Sequence, residues 1–357
     1  MSSRNIHVVG TGTIGEPLIG LLTTLKDELS FDRISFHKRT PLLTDRSKVV
    51  NLLKRGAYLA VDADAHQGFA ELGIKAQLET HEALEQASVV IDCTPSNVGL
   101  ANKAQLYKKY MKNTAGFIAQ GSEFGFGKMY ARGINDAALI PGEDHFIQVV
   151  SCNTHNLALL VDVIALQAGG PENLDAARFL CIRRSNDISQ DGSFVPAPQV
   201  GTHQDEFGSH HARDAYHLFK TLGYDFTNLF SSAMKVNSQY MHTIWFSILV
   251  EEPTTREEVL QRFMECDRAA ITYKMSANAV FSFGRDYGHY GRLLNETVLV
   301  APSLAVRRNG REIVGFCFTP QDGNSLLSSI SAAAWLLGPD DYDERVQCLR
   351  EYFFDEV

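Results

Sequence analysis

A nucleophile is written into the stretch Phe146-Ile147-Gln148-Val149-Val150-Ser151-Cys152-Asn153-Thr154. Its β-branched first half reads as a short strand. The apolar segment from Leu157 to Leu166, broken by Asp162, has the spacing of a buried helix. Cys152 therefore falls at a strand-to-helix turn, beside a helix N-terminus. Unpaired N–H groups and the macrodipole favour the thiolate there, and the thiolate is the form that attacks carbon. The chemistry this predicts is attack on an electrophilic carbon, with the oxyanion held by N–H groups of the helix start and by the Asn153 side chain.

A second stretch binds rather than reacts. Gly10-Thr11-Gly12-Thr13-Ile14-Gly15 is a full G-x-G-x-x-G that follows the strand Asn5–Val9 and opens a helix from Pro17 to about Lys26. Gly10, Gly12 and Gly15 permit a tight turn, close approach of backbone to a pyrophosphate, and close helix–strand packing; the helix start supplies the anion site. The next strand, Arg33–Phe36, ends in His37-Lys38-Arg39-Thr40-Pro41, where a site for NAD has an acid for the ribose 2′-hydroxyl. Lys38, Arg39 and Thr40 can hold the 2′-phosphate of NADP through charge-assisted bonds, so NADP is expected ahead of NAD. The strand Ala87–Ile91 runs into Asp92-Cys93-Thr94-Pro95-Ser96-Asn97-Val98-Gly99. Ligands of open α/β sheets sit at the carboxyl ends of strands, which puts Thr94 and Pro95 beside the nucleotide.

The third group is rich in histidine. The polar stretch from Gln199 to His211 holds His203, Asp205, Glu206, His210 and His211. The spacing matches no structural zinc pattern, and no metal is expected. His210 and His211 are read as contacts to an anionic substrate, His203 and Glu206 as solvated polar residues. His242 lies in an apolar run, where a lone histidine by itself reads as a satisfied core residue.

Positioning these groups takes two kinds of fold. Strands and helices alternate up to Val150, with a helix over Ser47–Gly56 and a strand over Gly116–Gln120 ending at Gly121-Ser122. That alternation predicts an α/β protein with an N-terminal Rossmann domain, a doubly wound parallel sheet. Phe179–Ile182, a strand or pair over Phe230–Glu251, a helix start at Thr254–Glu258 and a last strand over Gly310–Thr319 predict an α+β catalytic domain. Asn324–Leu337 reads as a helix packing back on the Rossmann domain. The expected division is 1–151, 152–322 and 323–357.

Bulk properties bound the reading. A chain of 357 residues has room for about two domains. A net charge of −9 and a pI near 5.7 argue against general attraction to nucleic acid or an anionic membrane. No run approaches the ~18 apolar residues of a membrane span, and no signal peptide is expected. Cys93, Cys152, Cys181, Cys266, Cys317 and Cys348 are scattered without C-x-x-C pairs, which fits free thiols in a reducing cytoplasm.

Taken together, the motifs resemble the archaeal-type (type II) glyceraldehyde-3-phosphate dehydrogenases. G-T-G-T-I-G, H-K-R-T-P, D-C-T-P-S-N-V-G-L-A-N-K, Gln120-Gly121, V-V-S-C-N-T, R-R-S-N-D, G-S-H-H-A-R-D, Y-M-H-T and P-Q-D-G-N follow that family's order over nearly the whole chain. The resemblance implies a pyridine-nucleotide-dependent aldehyde dehydrogenase working through a cysteine thiohemiacetal, in a homotetramer. It implies that Thr13, Ile14, Gly121, Arg184 and Gln321 touch the nucleotide, and that Ser151, Cys152, Asn153, His210 and His211 touch the substrate. It makes Cys152 the nucleophile and His242 the base. The departures cluster around the substrate: His155-Asn156 replace the family's Thr-Gly, Ala212-Arg213 its Gly-Pro, Ser122-Glu123-Phe124 its Gly-Glu-Lys, and Val236-Asn237-Ser238 its Pro-Thr-Thr. A different substrate would be written at His155-Asn156.

The expected function is therefore NAD(P)-dependent oxidation, or the reverse reduction, of glyceraldehyde 3-phosphate or another small anionic aldehyde. Inorganic phosphate or water would release the thioester. The alternatives are a semialdehyde dehydrogenase of a biosynthetic pathway, a nucleotide-binding sensor without catalysis, and a reductase that passes hydride without a covalent intermediate.

Overall fold

A computed structural model describes residues 3–121, 123–188, 192, 194–320 and 322–357. The chain forms two compact units, one of residues 1–132, 139–149 and 326–348, the other of residues 133–138, 150–325 and 349–357. Among the described residues no helix is long and apolar enough to cross a membrane.

The first unit holds β1 (Asn5–Val9), β2 (Arg33–His37), β3 (Tyr58–Val61), β4 (Leu78–Glu79), β5 (Val89–Asp92), β6 (Gly116–Gln120), β7 (Lys128–Tyr130) and β8 (Phe146–Val149). They pair in the order β4-β3-β2-β1-β5-β6-β8-β7, every pair parallel. Strands covered on both faces need continuous apolar runs, and Val89-Val90-Ile91 and Phe117-Ile118-Ala119 supply them, all fully buried. The sequence order reverses between β1 and β5. At such a switch point the loops after the two strands diverge and leave a crevice. The Leu326–Leu337 helix belongs to this unit and packs on β5, β6 and the Gly15–Thr24 helix. Gly116 is needed at its seat: a Cβ there would lie 2.6 Å from Leu336 Cδ2. Polar ties to the helix are Gln120 Nε2 to Ser329 Oγ and Arg132 N to Ser328 Oγ.

The second unit is built on a mixed sheet of β9 (Leu174–Arg183), β10 (Gln199–Val200), β11 (Leu229–Lys235), β12 (His242–Val250), β13 (Ala269–Thr272), β14 (Thr297–Val300), β15 (Ala305–Arg307) and β16 (Glu312–Thr319). The order is β10-β11-β9-β12-β16-β14-β13, with β15 on β16. The Cys152–Val161 helix lies against β9, β14 and β16, and every residue from Asn153 to Val161 is buried. It begins five residues before the apolar segment read from the sequence, and a π-helical turn, Asp162–Leu166, continues it. Register brings distant residues to one end of this sheet. Arg183 closes β9, His242 opens the antiparallel β12, and His242 is the direct partner of Thr319 at the end of β16.

Candidate active site

The glycine turn satisfies three separate demands. Gly10 has φ +100°, and a Cβ there would sit 3.0 Å from Cys93 O. A Cβ on Gly15 would fall 2.1 Å from Gly10 O, so the turn closes only on glycine. A Cβ on Gly12 would meet nothing within 4 Å beyond its chain neighbours, which leaves the backbone there open to a ligand. Thr13 is buried, and Ile14 caps the Gly15–Thr24 helix without a side-chain bond. A cavity of about 440 Å³ opens here, lined by Gly10, Lys38, Arg39, Thr94 and Pro95 together with His37 and Asp62. Thr40 is exposed beside it, and Gly121 takes φ +76° after β6.

The carboxylates around this cavity have structural tasks. Asp92 accepts from Thr94 N at 2.9 Å, Thr94 Oγ1, Asn102 Nδ2 at 2.8 Å and Tyr107 Oη at 2.5 Å, so it shapes the Thr94-Pro95 turn. Glu123 accepts from Asn97 N and from Leu100 N at 3.2 Å, closing the start of the Val98–Gln105 helix. Lys38 is also committed. Its ammonium lies 2.5 Å from Asp45, which Lys48 approaches at 3.6 Å.

In the second unit, Ser151 is the N-cap of the Cys152–Val161 helix. Its Oγ accepts from Thr154 N at 3.4 Å, and its carbonyl accepts from His155 N at 2.9 Å. That fixes Cys152 at the first helical position. The leading N–H groups of a helix have no intrahelical acceptor, and here those are the N–H groups of Cys152 and Asn153. The Cys152 carbonyl is anchored by Asn324 Nδ2 at 2.8 Å. Cys152 is half-buried. Burial pushes its thiol up to about 12; Asp322 pushes the same way, and Arg184 and Arg183 pull against both. The thiol is thus the resting form at neutral pH, contrary to the expectation from the helix start alone.

His210, His211 and His242 are held neutral. Burial lowers His210 to about 4, helped by Arg183 and Arg213. Burial also takes His211 and His242 well below the usual range, with His210 and the arginines adding to it. His210 and His211 begin the His210–Lys220 helix rather than ending a loop, and their rings are 3.9 Å apart. His242 Nδ1 accepts from Arg184 N at 3.0 Å, which leaves the neutral ring's proton on Nε2. Arg184 Nη2 lies 2.6 Å from Asp322 and 3.2 Å from Asp187. Gln321 lies outside the described residues. Of the polar stretch, His203 Nε2 contacts Ser232 Oγ at 3.0 Å and Asp205 accepts from Phe207 N at 2.9 Å.

Arg183 was not singled out by sequence reasoning, whose one signal was the doubled arginine at a strand end. Its Nε, like Arg184 Nε and His211 Nδ1, is buried without a partner among the described residues. His155 and Asn156, where the substrate was expected to be written, have no exposed surface at all. His155 Nδ1 contacts Ser151 O at 3.1 Å, bracing the turn behind Cys152.

No family model matches the chain. It is 23% identical over 360 residues to the glyceraldehyde-3-phosphate dehydrogenase of Sulfolobus acidocaldarius, covering 98% of this chain and 97% of that one. It is 26% identical over 317 residues to that of Metallosphaera sedula, covering 85% and 84%. It is 29% identical over 272 residues to glyceraldehyde-3-phosphate dehydrogenase 1 of Methanosarcina acetivorans, covering 75% and 74%. With these alignments spanning most of its length at 23%, 26% and 29% identity, the chain is a divergent relative of the archaeal glyceraldehyde-3-phosphate dehydrogenases.

Proposed function

We propose that this chain is a nicotinamide-nucleotide-dependent aldehyde dehydrogenase acting on glyceraldehyde 3-phosphate or another small anionic aldehyde. The observation that carries the reading is Cys152 at the first position of a buried helix, with two helix N–H groups to spare and buried arginine and histidine donors in the same unit. Attack of Sγ on the aldehyde carbon forms the C–S bond while the carbonyl π electrons move to oxygen. The N–H groups of Cys152 and Asn153 receive that oxyanion. The thiol proton leaves as the bond forms and ends on the hemithioacetal oxygen. His242, with its Nδ1 lone pair facing the Arg184 N–H, serves as an Nε2–H donor and not as a base. Arg183 Nε and His211 Nδ1–H suit the anionic group of the substrate. A bound nicotinamide nucleotide would accept the hydride that leaves the hemithioacetal carbon, while the hydroxyl proton on that carbon passes to solvent water and the C=O of the thioester forms. The residues fit such a nucleotide: Gly12 offers open backbone, and Gly10 and Gly15 close a turn that no other residue could. The remaining thioester is released by phosphate or water.

The test is a panel of small aldehydes with NADP and NAD, each with and without inorganic phosphate. Nucleotide reduction confined to anionic aldehydes supports the reading. No reduction with any of them rejects it in favour of a nucleotide-binding protein without catalysis, the reading that the raised Cys152 thiol favours. Phosphate dependence separates acyl-phosphate release from hydrolysis.

NADP is the proposed partner of the cavity, with Arg39 rather than Lys38 as its 2′-phosphate ligand. Lys38 is neutralised by Asp45, whereas exposed Arg39 makes no ion pair among the described residues. Arg39→Glu is expected to raise KM for NADP about 10- to 100-fold, the worth of a charge-assisted bond, and to leave KM for NAD within a few fold. Equal effects on both nucleotides would remove Arg39 from that role.

A further inference from the structure

Three buried side chains from two elements join Cys317 to His211 by hydrogen bonds. Asn153 and Asn156 lie three residues apart on the Cys152–Val161 helix, so they share a face. Cys317 and Thr319 lie two apart on β16 and share a face of that strand. Cys317 Sγ donates to Asn156 Oδ1 at 3.3 Å, and Asn156 Nδ2 donates to Thr319 Oγ1 at 2.8 Å. Thr319 Oγ1 donates to Asn153 Oδ1 at 3.3 Å, and Asn153 Nδ2 faces His211 Nε2 at 3.3 Å. Cys317, Asn156 and Thr319 are fully buried, Asn153 is 1% exposed and His211 3%.

One order of donors runs through this chain. The Cys317 thiol offers its proton to the amide oxygen of Asn156, nearer than the Ile244 carbonyl at 3.8 Å. That turns the Asn156 NH2 toward Thr319. A hydroxyl has a single proton. Thr319 accepts from Asn156 and directs that proton to Asn153 Oδ1, and the Asn153 NH2 is left toward the ring. His211 Nε2 must then be an acceptor. A neutral imidazole accepting at one nitrogen carries its proton at the other. His211 Nδ1 is buried with no partner among the described residues.

We propose that Asn156 and Thr319 are positioning residues that lock His211 as its Nδ1–H tautomer and so reserve one oriented donor for an oxygen of the substrate. The lock stands on the hydrogen bonds alone; the use made of the donor rests on the aldehyde dehydrogenase reading.

The test reads the tautomer directly. In full-length protein labelled with 15N-histidine, long-range 1H–15N spectra distinguish a protonated from an unprotonated ring nitrogen, and the His211 signals are assigned by their loss in His211→Gln. The wild-type ring is expected as a single Nδ1–H form. Thr319→Val removes the hydroxyl with little change of shape, frees the Asn153 amide to turn over, and is expected to lose the single form in favour of a mixture with Nε2–H. Asn156→Leu breaks the chain one link earlier and is expected to do the same. Thr319→Ser restores the single form. In parallel, Thr319→Val should raise KM for the anionic aldehyde about tenfold, with Thr319→Ser near wild type. A wild-type Nε2–H ring, an unchanged tautomer in Thr319→Val, or a serine variant that behaves as valine does would each overturn the lock. A tautomer that responds as described in a protein that oxidises no aldehyde would uphold the lock and reject the dehydrogenase reading.

Discussion

Cys152→Ser is expected to lower aldehyde-dependent nucleotide reduction by at least about 10⁴-fold, the scale seen when a covalent nucleophile is removed from its catalytic unit. Serine keeps the size and the N-terminal helical position. It fails because a hydroxyl without a base at hand is a far poorer nucleophile than sulfur, and His242 presents a donor, not a lone pair. Nucleotide binding should stay within about twofold, since Gly10, Gly12, Gly15, Arg39, Thr94 and Pro95 are untouched. The two readouts together separate the candidate mechanisms. A serine variant retaining more than about a tenth of the activity would exclude covalent catalysis and favour direct hydride transfer. A wild-type chain with tight nucleotide binding and no turnover would make the substitution silent and point to a sensor. The resting thiol at about 12 gives this experiment its weight. A helix N-terminus and two arginines lower the cost of a thiolate, but burial opposes them. In the proposed mechanism the thiolate would therefore form together with proton transfer as the substrate binds.

Much of the frame was legible because it is local. The run Val89-Val90-Ile91 needs both faces covered, and the G-x-G-x-x-G after Val9 has one structural solution, as the 2.1 Å clash at Gly15 shows. Cys152 at a helix start also follows from neighbouring residues, with Ser151 as an N-cap. The roles of the histidines were not legible. The proton of His242 is set by the backbone N–H of Arg184, 58 positions away, and that of His211 by a chain that ends at Cys317. Those contacts come from the register of β9, β12 and β16, and hydrophobic periodicity does not encode register between distant strands. Lys38 misled for a similar reason: a basic cluster after a strand says nothing of Asp45, which takes one of its charges. His155 and Asn156 look like a substrate-facing departure in sequence. The helix periodicity turns both inward, where one braces Ser151 and the other orients Thr319.

Arg268→Met is expected to destabilise the second unit by about 3–5 kcal/mol, the largest stability effect the structure predicts. Arg268 Nη1 lies 3.1 Å from Glu296 and Nη2 3.1 Å from Asp162, and its side chain is 8% exposed. Removing the guanidinium takes the shared cation from two carboxylates whose side chains are only 17% and 3% exposed. Breaking one buried partner costs more than the whole cluster contributes, because each lone charge keeps its desolvation penalty. The triple variant Arg268→Met, Asp162→Leu, Glu296→Met should therefore recover most of the loss, which a simple volume or cavity effect at position 268 would not allow. Equilibrium unfolding in denaturant measures both. An Arg268→Met variant within about 1 kcal/mol of wild type would show that the cluster is hydrated in solution. The cluster also bears on catalysis. Asp162 opens the π-helical turn that continues the Cys152 helix, and Asn324 Nδ2 bridges the Cys152 carbonyl at 2.8 Å to the Glu296 carbonyl at 3.1 Å. Both ends of the segment carrying Cys152, the proposed nucleophile, are thus tied to Arg268. In Arg268→Met, kcat per folded molecule should fall together with stability, and in the triple variant the two should return together.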